Sequence, residues 1–106
     1  MCILPTFGEQ AFSMKKHTDA EIETALATLP GWQHKNGALE KDFAFADFNA
    51  AFAFLARTAL YSEKVNHHAE YSGVYNKVNL RLNTHDAGGI TRKDVDFAKE
   101  ADTYIS

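Results

Sequence analysis

The 106-residue sequence predicts a two-layer α+β domain of order α-β-β-α-β-β-α, a four-stranded antiparallel sheet covered on one face by three helices. Three observations lead there. Segments with apolar spacing near 3.6 alternate with segments of period two, each strand pair is joined by a local turn, and local hairpins imply antiparallel pairing. Residues 15–106 read as one domain, and residues 1–14 as a leader or poorly ordered extension with Met14 as an alternative start.

The first helix opens at Thr18, where "TDAE" places a Glu three residues after a capping hydroxyl. Ile22, Ala25, Leu26 and Leu29 form its apolar stripe, and Pro30-Gly31 ends it. From Trp32 to Ala46 the period becomes two around Asn36-Gly37, the dipeptide suited to a tight type I′ hairpin. Leu39, Phe43 and Phe45 share one face with Lys41, opposite Glu40 and Asp42.

Asp47 caps a long helix whose predicted stripe is Phe48, Ala51, Phe52, Leu55 and Ala59. Its other side is apolar too. Ala50, Ala53, Phe54 and Tyr61 leave Asn49, Arg57 and Thr58 as polar interruptions, so the 47–64 helix is expected to bury a second face, most simply in a homodimer or homotetramer. After the helix, Val74 to Thr84 alternates, with Val74, Val78, Leu80 and Leu82 on one face; it is expected to pair with a short strand near Tyr71 through a Ser72-Gly73 turn. A last helix starts at Thr91, with Val95, Ala98 and Ile105 inward.

Composition narrows the function. Hydrophobic residues make up 45%, charged residues 24%, and the net charge of −3 carries no basic block, which disfavours direct nucleic-acid binding. Cys2 is the single cysteine, so neither an intrachain disulfide nor a cysteine zinc site can form. The sequence offers no run long enough to span a membrane as a helix and no export signal; a cytoplasmic location and no membrane partner are expected.

Chemistry concentrates in His67, His68 and His85; His17 and His34 read as surface residues. Adjacent histidines point apart on a helix or a strand, which argues against a metal couple. A nucleophile elbow and a P-loop are both missing. Imidazole acid–base chemistry near neutral pH is left, against the plainer reading of polar residues at element ends.

The stretch from Glu63 to Asp94 decides between them. "EKVNHHAEYSGVYNKVNLRLNTHDAGGITRKD" resembles the signature of the pterin-4a-carbinolamine dehydratases, with Glu63, His67, His68, Tyr75, His85 and Asp94 at matching positions. The likeness extends from about Thr18 to Ile105, through "GW" at Gly31-Trp32 and "FADFNAAFAFLARTAL". Ala69 stands where relatives carry Pro, Cys or Ser, and Tyr71 where many carry Trp.

The resemblance implies a 4a-hydroxytetrahydrobiopterin dehydratase acting in tetrahydrobiopterin recycling. It would remove water from a 4a-hydroxytetrahydropterin by histidine acid–base catalysis, with a pterin as substrate and no cofactor or metal. It implies proton transfer by His67 and His85 and placement by His68. Glu63, Asn66, Asn83, Thr84 and Asp86 become substrate-binding candidates. Trp32 and Tyr71 are candidates for stacking on the ring, Trp32 equally for the core. Asp94 has a place in the signature, yet Thr91-x-x-Asp94 is also a capping box, and the structural role is preferred. Since animal members also serve a transcription factor, the alternative is a protein-binding module, or a transcriptional or hydroxylase regulator, using the second face of the 47–64 helix.

Overall fold

The computed structural model describes residues 15–105, so the expected leader lies outside the described residues. Helix α1 (Asp19–Leu26) is followed by strands β1 (Gln33–Lys35) and β2 (Ala38–Ala44), helix α2 (Phe48–Val65), strands β3 (Glu70–Val74) and β4 (Lys77–Leu82), a 3₁₀ turn at His85–Ala87, and helix α3 (Arg92–Asp102). The strands form one sheet, antiparallel as the local hairpins imply, and their order is β1-β2-β4-β3.

Each predicted cap is present. Thr18 and Glu21 close a reciprocal capping box on α1, Asp47 accepts from the Ala50 N–H at the start of α2, and Thr91 pairs with Asp94 at the start of α3. Asn36 and Gly37 have φ of 53° and 78°, the two positive values a type I′ turn requires. The core lies between the helices and one sheet face, where Leu39, Phe43, Val78, Leu80 and Leu82 meet Ile22, Leu29, Phe54, Phe97 and Ala98.

Lys41, the polar exception on that face, lays its ammonium 4.9 Å from the Phe43 ring centroid and 3.0 Å from Asp102 Oδ1. Its stem covers apolar surface while its charge is paired.

Three expectations need correction. The β3–β4 turn is Tyr75-Asn76, not Ser72-Gly73, so Val74 belongs to β3 and is 72% exposed on the far face. The turn is held there by a clamp: the Phe45 N–H donates to the Asn76 carbonyl at 2.8 Å and Asn76 Nδ2 donates to the Phe45 carbonyl at 2.8 Å. Gly73 lies inside β3, paired with Val78, where a β-carbon would lie 2.6 Å from the Lys77 carbonyl oxygen, so the position suits glycine.

The inner face of α2 is turned relative to the predicted stripe. Ala51, Phe54, Thr58 and Ser62 are buried, whereas Phe48 and Phe52 are 52% and 55% exposed. Polar residues take inner positions because their hydroxyls are satisfied locally, Thr58 Oγ1 on the Leu55 carbonyl at 2.9 Å and Ser62 Oγ on the Thr58 carbonyl at 3.0 Å. The third correction concerns α3, which ends at Asp102 and packs Phe97 and Ala101 beside Val95 and Ala98, with Ile105 44% exposed beyond it.

Candidate functional site: a buried histidine–aspartate pair

The exit from α2 sets the two histidines apart. Asn66 takes a left-handed conformation (φ 54°, ψ 46°), its N–H returning to the Glu63 carbonyl and that of His67 to the Ser62 carbonyl at 3.0 Å. The chain leaves the helix sharply. His67 is turned inward, 9% exposed, with its ring 6.4 Å from that of Phe97; His68 is turned outward. Adjacency therefore delivers two imidazoles to two environments.

His67 Nε2 lies 2.6 Å from Asp94 Oδ1, and Asp94 is fully buried. The other carboxylate oxygen, Oδ2, accepts from Thr84 Oγ1 at 2.9 Å and from the Thr91 N–H at 2.9 Å. An ionised carboxylate only accepts, so with Asp94 ionised His67 Nε2–H is its third donor, and in the neutral ring Nδ1 carries the lone pair. The carboxylate also sits in the first turn of α3, where the helix dipole favours negative charge.

His68 Nε2 meets Glu63 Oε1 at 2.9 Å, one turn back along the chain. This pair is solvated, its side chains 58% and 79% exposed, and holds a ring orientation more than it stabilises the fold.

His85 and Asp86 are exposed on the 3₁₀ turn beyond β4, directly after Thr84; Asn83 is half-buried before it, and Asn66 is exposed at the α2 exit. Thr84, a candidate for substrate contact, is only 2% exposed with its hydroxyl committed to Asp94 and Thr91. Trp32 lies in the core, 5% exposed, its indole N–H donating to Asp102 at 3.2 Å and its ring edge-on to Phe43. Tyr71 is half-buried, with its hydroxyl on Ser62 Oγ and the Thr58 carbonyl. Tyr75 projects from the β3–β4 turn, 65% exposed. The fold thus joins His67, Asp94 and Thr84 in one network, pairs His68 with Glu63, and gives Trp32 and Tyr71 polar partners of their own within the protein.

Asp94 had the signal of a cap in the sequence, and the contact to His67 across 27 residues had none. Among the described residues no three His, Cys, Asp or Glu side chains converge so as to hold a metal ion, and no helix is long and apolar enough to cross a membrane.

Comparison with known proteins gives the family of the chain and likenesses for its fold. The family described as Pterin 4 alpha carbinolamine dehydratase matches residues 15–104. Relatives from Rhizorhabdus wittichii and Rhodopseudomonas palustris, both provisionally named pterin-4-alpha-carbinolamine dehydratase, are each 48% identical, over 82% and 81% of this chain and 92% and 87% of their own lengths. A crystal structure described as a transcriptional coactivator/pterin dehydratase from Brucella melitensis superposes with a TM-score of 0.84 at 37% identity, covering 87% of this chain and all of that one. A pterin dehydratase-like protein identified as a RuBisCO assembly factor in the alpha-carboxysome superposes with a TM-score of 0.60 at 26% identity, over 71% of this chain and 87% of that one. From the matched profile, which spans nearly the whole described chain, and from these relatives, the chain belongs to the pterin 4 alpha carbinolamine dehydratase family.

Proposed function

We propose that the protein dehydrates a 4a-hydroxytetrahydropterin to the quinonoid dihydropterin, as a step of tetrahydrobiopterin recycling. The observation that carries the reading is the buried His67–Asp94 pair, an imidazole whose Nε2 is tied to a carboxylate and whose Nδ1, in the neutral ring, carries the lone pair a base needs. The chemistry needs little else. A proton leaves N5, the N5–C4a double bond forms as the C4a–O bond breaks, and the departing hydroxyl takes a proton to leave as water.

In this mechanism His67 Nδ1 is the base for the N5 proton, with Asp94 holding the tautomer and the ring direction. A protonated His85 imidazole, on the exposed turn that follows Thr84, supplies the proton to the leaving oxygen. His68, oriented by Glu63, positions the substrate, and Asn66, Asn83 and Asp86 offer amide and carboxylate groups to the polar edge of the pterin. His67→Ala and His85→Ala should each lose most of the rate in a stopped-flow ultraviolet assay without added metal while keeping the parent circular dichroism spectrum. Parent rates in both variants would exclude the assignment, and sensitivity to EDTA would point to a metal instead.

A second role has support in the α2 surface. Phe48 and Phe52 stack 5.7 Å apart in the open, and Leu60 is 71% exposed on the same helix. Apolar area of this kind is costly to leave in water. We assign it to self-association as a homodimer or homotetramer; the coactivator and assembly-factor descriptions of the two solved relatives make a partner protein the other occupant to test.

A further inference from the structure

The hydroxyl of Thr84 is not available to substrate, and what it does instead is legible from its bonds. Its proton must point at Asp94 Oδ2, 2.9 Å away, because a carboxylate has none to give. Thr84 Oγ1 is then the acceptor in its 2.7 Å contact with Thr91 Oγ1. Thr91 Oγ1 in turn accepts from the Lys93 N–H at 3.2 Å. The Thr91 and Thr84 hydroxyl protons therefore point one way, from the start of α3 through Thr84 to the carboxylate that holds His67.

The backbone of the same residue organises the turn that carries His85. Its N–H donates to the Gly89 carbonyl at 2.8 Å, and its carbonyl accepts from the Ala87 and Gly88 N–H groups, each at 3.0 Å. Thr84 and Gly89 form an isolated antiparallel bridge that closes residues 85–88 into a tight loop, with Gly88 at φ 76° absorbing the reversal. One residue thus fixes the base of the His85 loop through its main chain and the orienting carboxylate of His67 through its side chain.

We infer that Thr84 is a positioning residue that couples the two proton-transfer histidines, holding the carboxylate rotamer of Asp94 in register with the His85 loop. This rests on the dehydratase reading above. Acid and base must act on neighbouring atoms of one bicyclic ring, and small misplacement of either costs rate steeply. A valine keeps the shape of threonine and removes both the donor to Oδ2 and the acceptor of the Thr91 hydroxyl, leaving Oδ2 with the Thr91 N–H alone and the carboxylate less firmly held against His67 Nε2.

The test compares Thr84→Val with Thr84→Ser in the full-length protein. Thr84→Val should lower kcat about tenfold, the loss of one hydrogen bond to a charged group, with KM within about twofold. Thr84→Ser, which restores the donor, should recover most of that rate. In ¹⁵N-labelled protein the His67 Nε2–H proton should exchange with solvent about tenfold faster in Thr84→Val and at about the parent rate in Thr84→Ser, following the strength of the hydrogen bond to Asp94.

A residue that only stabilises the fold would lower the melting temperature and leave both quantities unchanged per folded molecule; that result overturns the proposal, as does a serine variant no better than valine. Thr84→Cys, similar in volume and a weak donor, replaces valine if that variant does not fold, and should fall between parent and valine. The exchange measurement needs no turnover. A parent protein without dehydratase activity therefore defeats the function and leaves the Thr84–Asp94–His67 coupling to be decided by exchange alone.

Discussion

Replacing Asp94 by asparagine keeps the shape of the side chain and changes one oxygen into an amide donor. The single carbonyl oxygen of the new amide is needed where two donors converge, Thr84 Oγ1–H and the Thr91 N–H, both 2.9 Å from Oδ2. The amide nitrogen is then turned toward His67 Nε2, 2.6 Å from the carboxylate in the parent, where a donor faces a donor. The ring is relieved by moving its proton to Nδ1, and that removes the lone pair from the nitrogen proposed to take the N5 proton.

Loss of a positioned general base, or the wrong tautomer of one, costs about 10²- to 10⁴-fold in rate, equivalent to about 3–5 kcal/mol of barrier. Stability suffers less. The lost charge-assisted bond contributes about 1.5–3 kcal/mol and the lost negative charge at the start of α3 about 0.3–1 kcal/mol, partly offset by the new tautomer, so melting should fall by about 10 °C. Turnover is measured by stopped-flow absorbance at a temperature where the variant is folded, and the tautomer by long-range ¹H–¹⁵N spectra of the imidazoles. An Asp94→Asn protein that turns over at the parent rate, or whose His67 still carries its proton on Nε2, would refute the argument.

Three further outcomes follow from the same geometry. The Tyr104 hydroxyl, on Glu100 Oε2 at 2.8 Å, is pushed up to about 12 from 10.0, chiefly by burial and next by that bond. Since the folded state holds this proton more tightly than the unfolded one, the stability it contributes is whole below pH 10 and is lost as the pH climbs from about 10 to 12. Tyr104→Phe should flatten that part of the stability–pH curve and remove the phenolate that appears at 295 nm near pH 12; an unchanged titration would contradict it. Gly73→Ala forces a β-carbon to 2.6 Å from the Lys77 carbonyl oxygen, and the resulting overpacking of about 1–3 kcal/mol should lower the melting temperature by about 4 °C or more. For the α2 surface, light scattering should give a multiple of the 11.8 kDa chain mass, reduced to about one chain by Phe52→Glu; a parent protein already at 11.8 kDa would defeat self-association.

The element order and the caps were legible because they rest on local rules. A capping box spans four residues, a type I′ turn two, and alternation a single strand, so nothing distant has to be known. Departures arose where side-chain bonds, some distant and some local, outweighed the apolar pattern. Asn76 pins the β3–β4 turn by bonding Phe45, 31 residues away, and no window around Ser72-Gly73 contains that information. In α2 the buried Thr58 and Ser62 would read as outward polar residues, until the hydroxyl bonds that satisfy them are counted. For Trp32 and Tyr71, which remain candidates for stacking on substrate, the sequence likewise does not display the bonds of their polar atoms, to Asp102 and to Ser62 and Thr58.

Asp94 shows most clearly why a site of this kind is hard to weigh from sequence. Capping and function look like rival explanations of one carboxylate, but a carboxylate has two oxygens and they face different ways. Oδ2 closes the capping box on the Thr91 N–H and takes the Thr84 hydroxyl, while Oδ1 is left for His67. The cap is what makes the second contact possible. Held in the first turn of α3 by two donors and by the helix dipole, the side chain has a single rotamer in which Oδ1 meets the imidazole, so the bonds that start the helix also orient the ring. A glutamate at this position would satisfy the capping rule as well as aspartate does, yet its extra methylene would carry the second oxygen about 1.5 Å further out, into the space His67 occupies at 2.6 Å. Asp94→Glu should accordingly preserve the helix start and displace His67, which separates the two duties of one side chain that the sequence shows as alternatives.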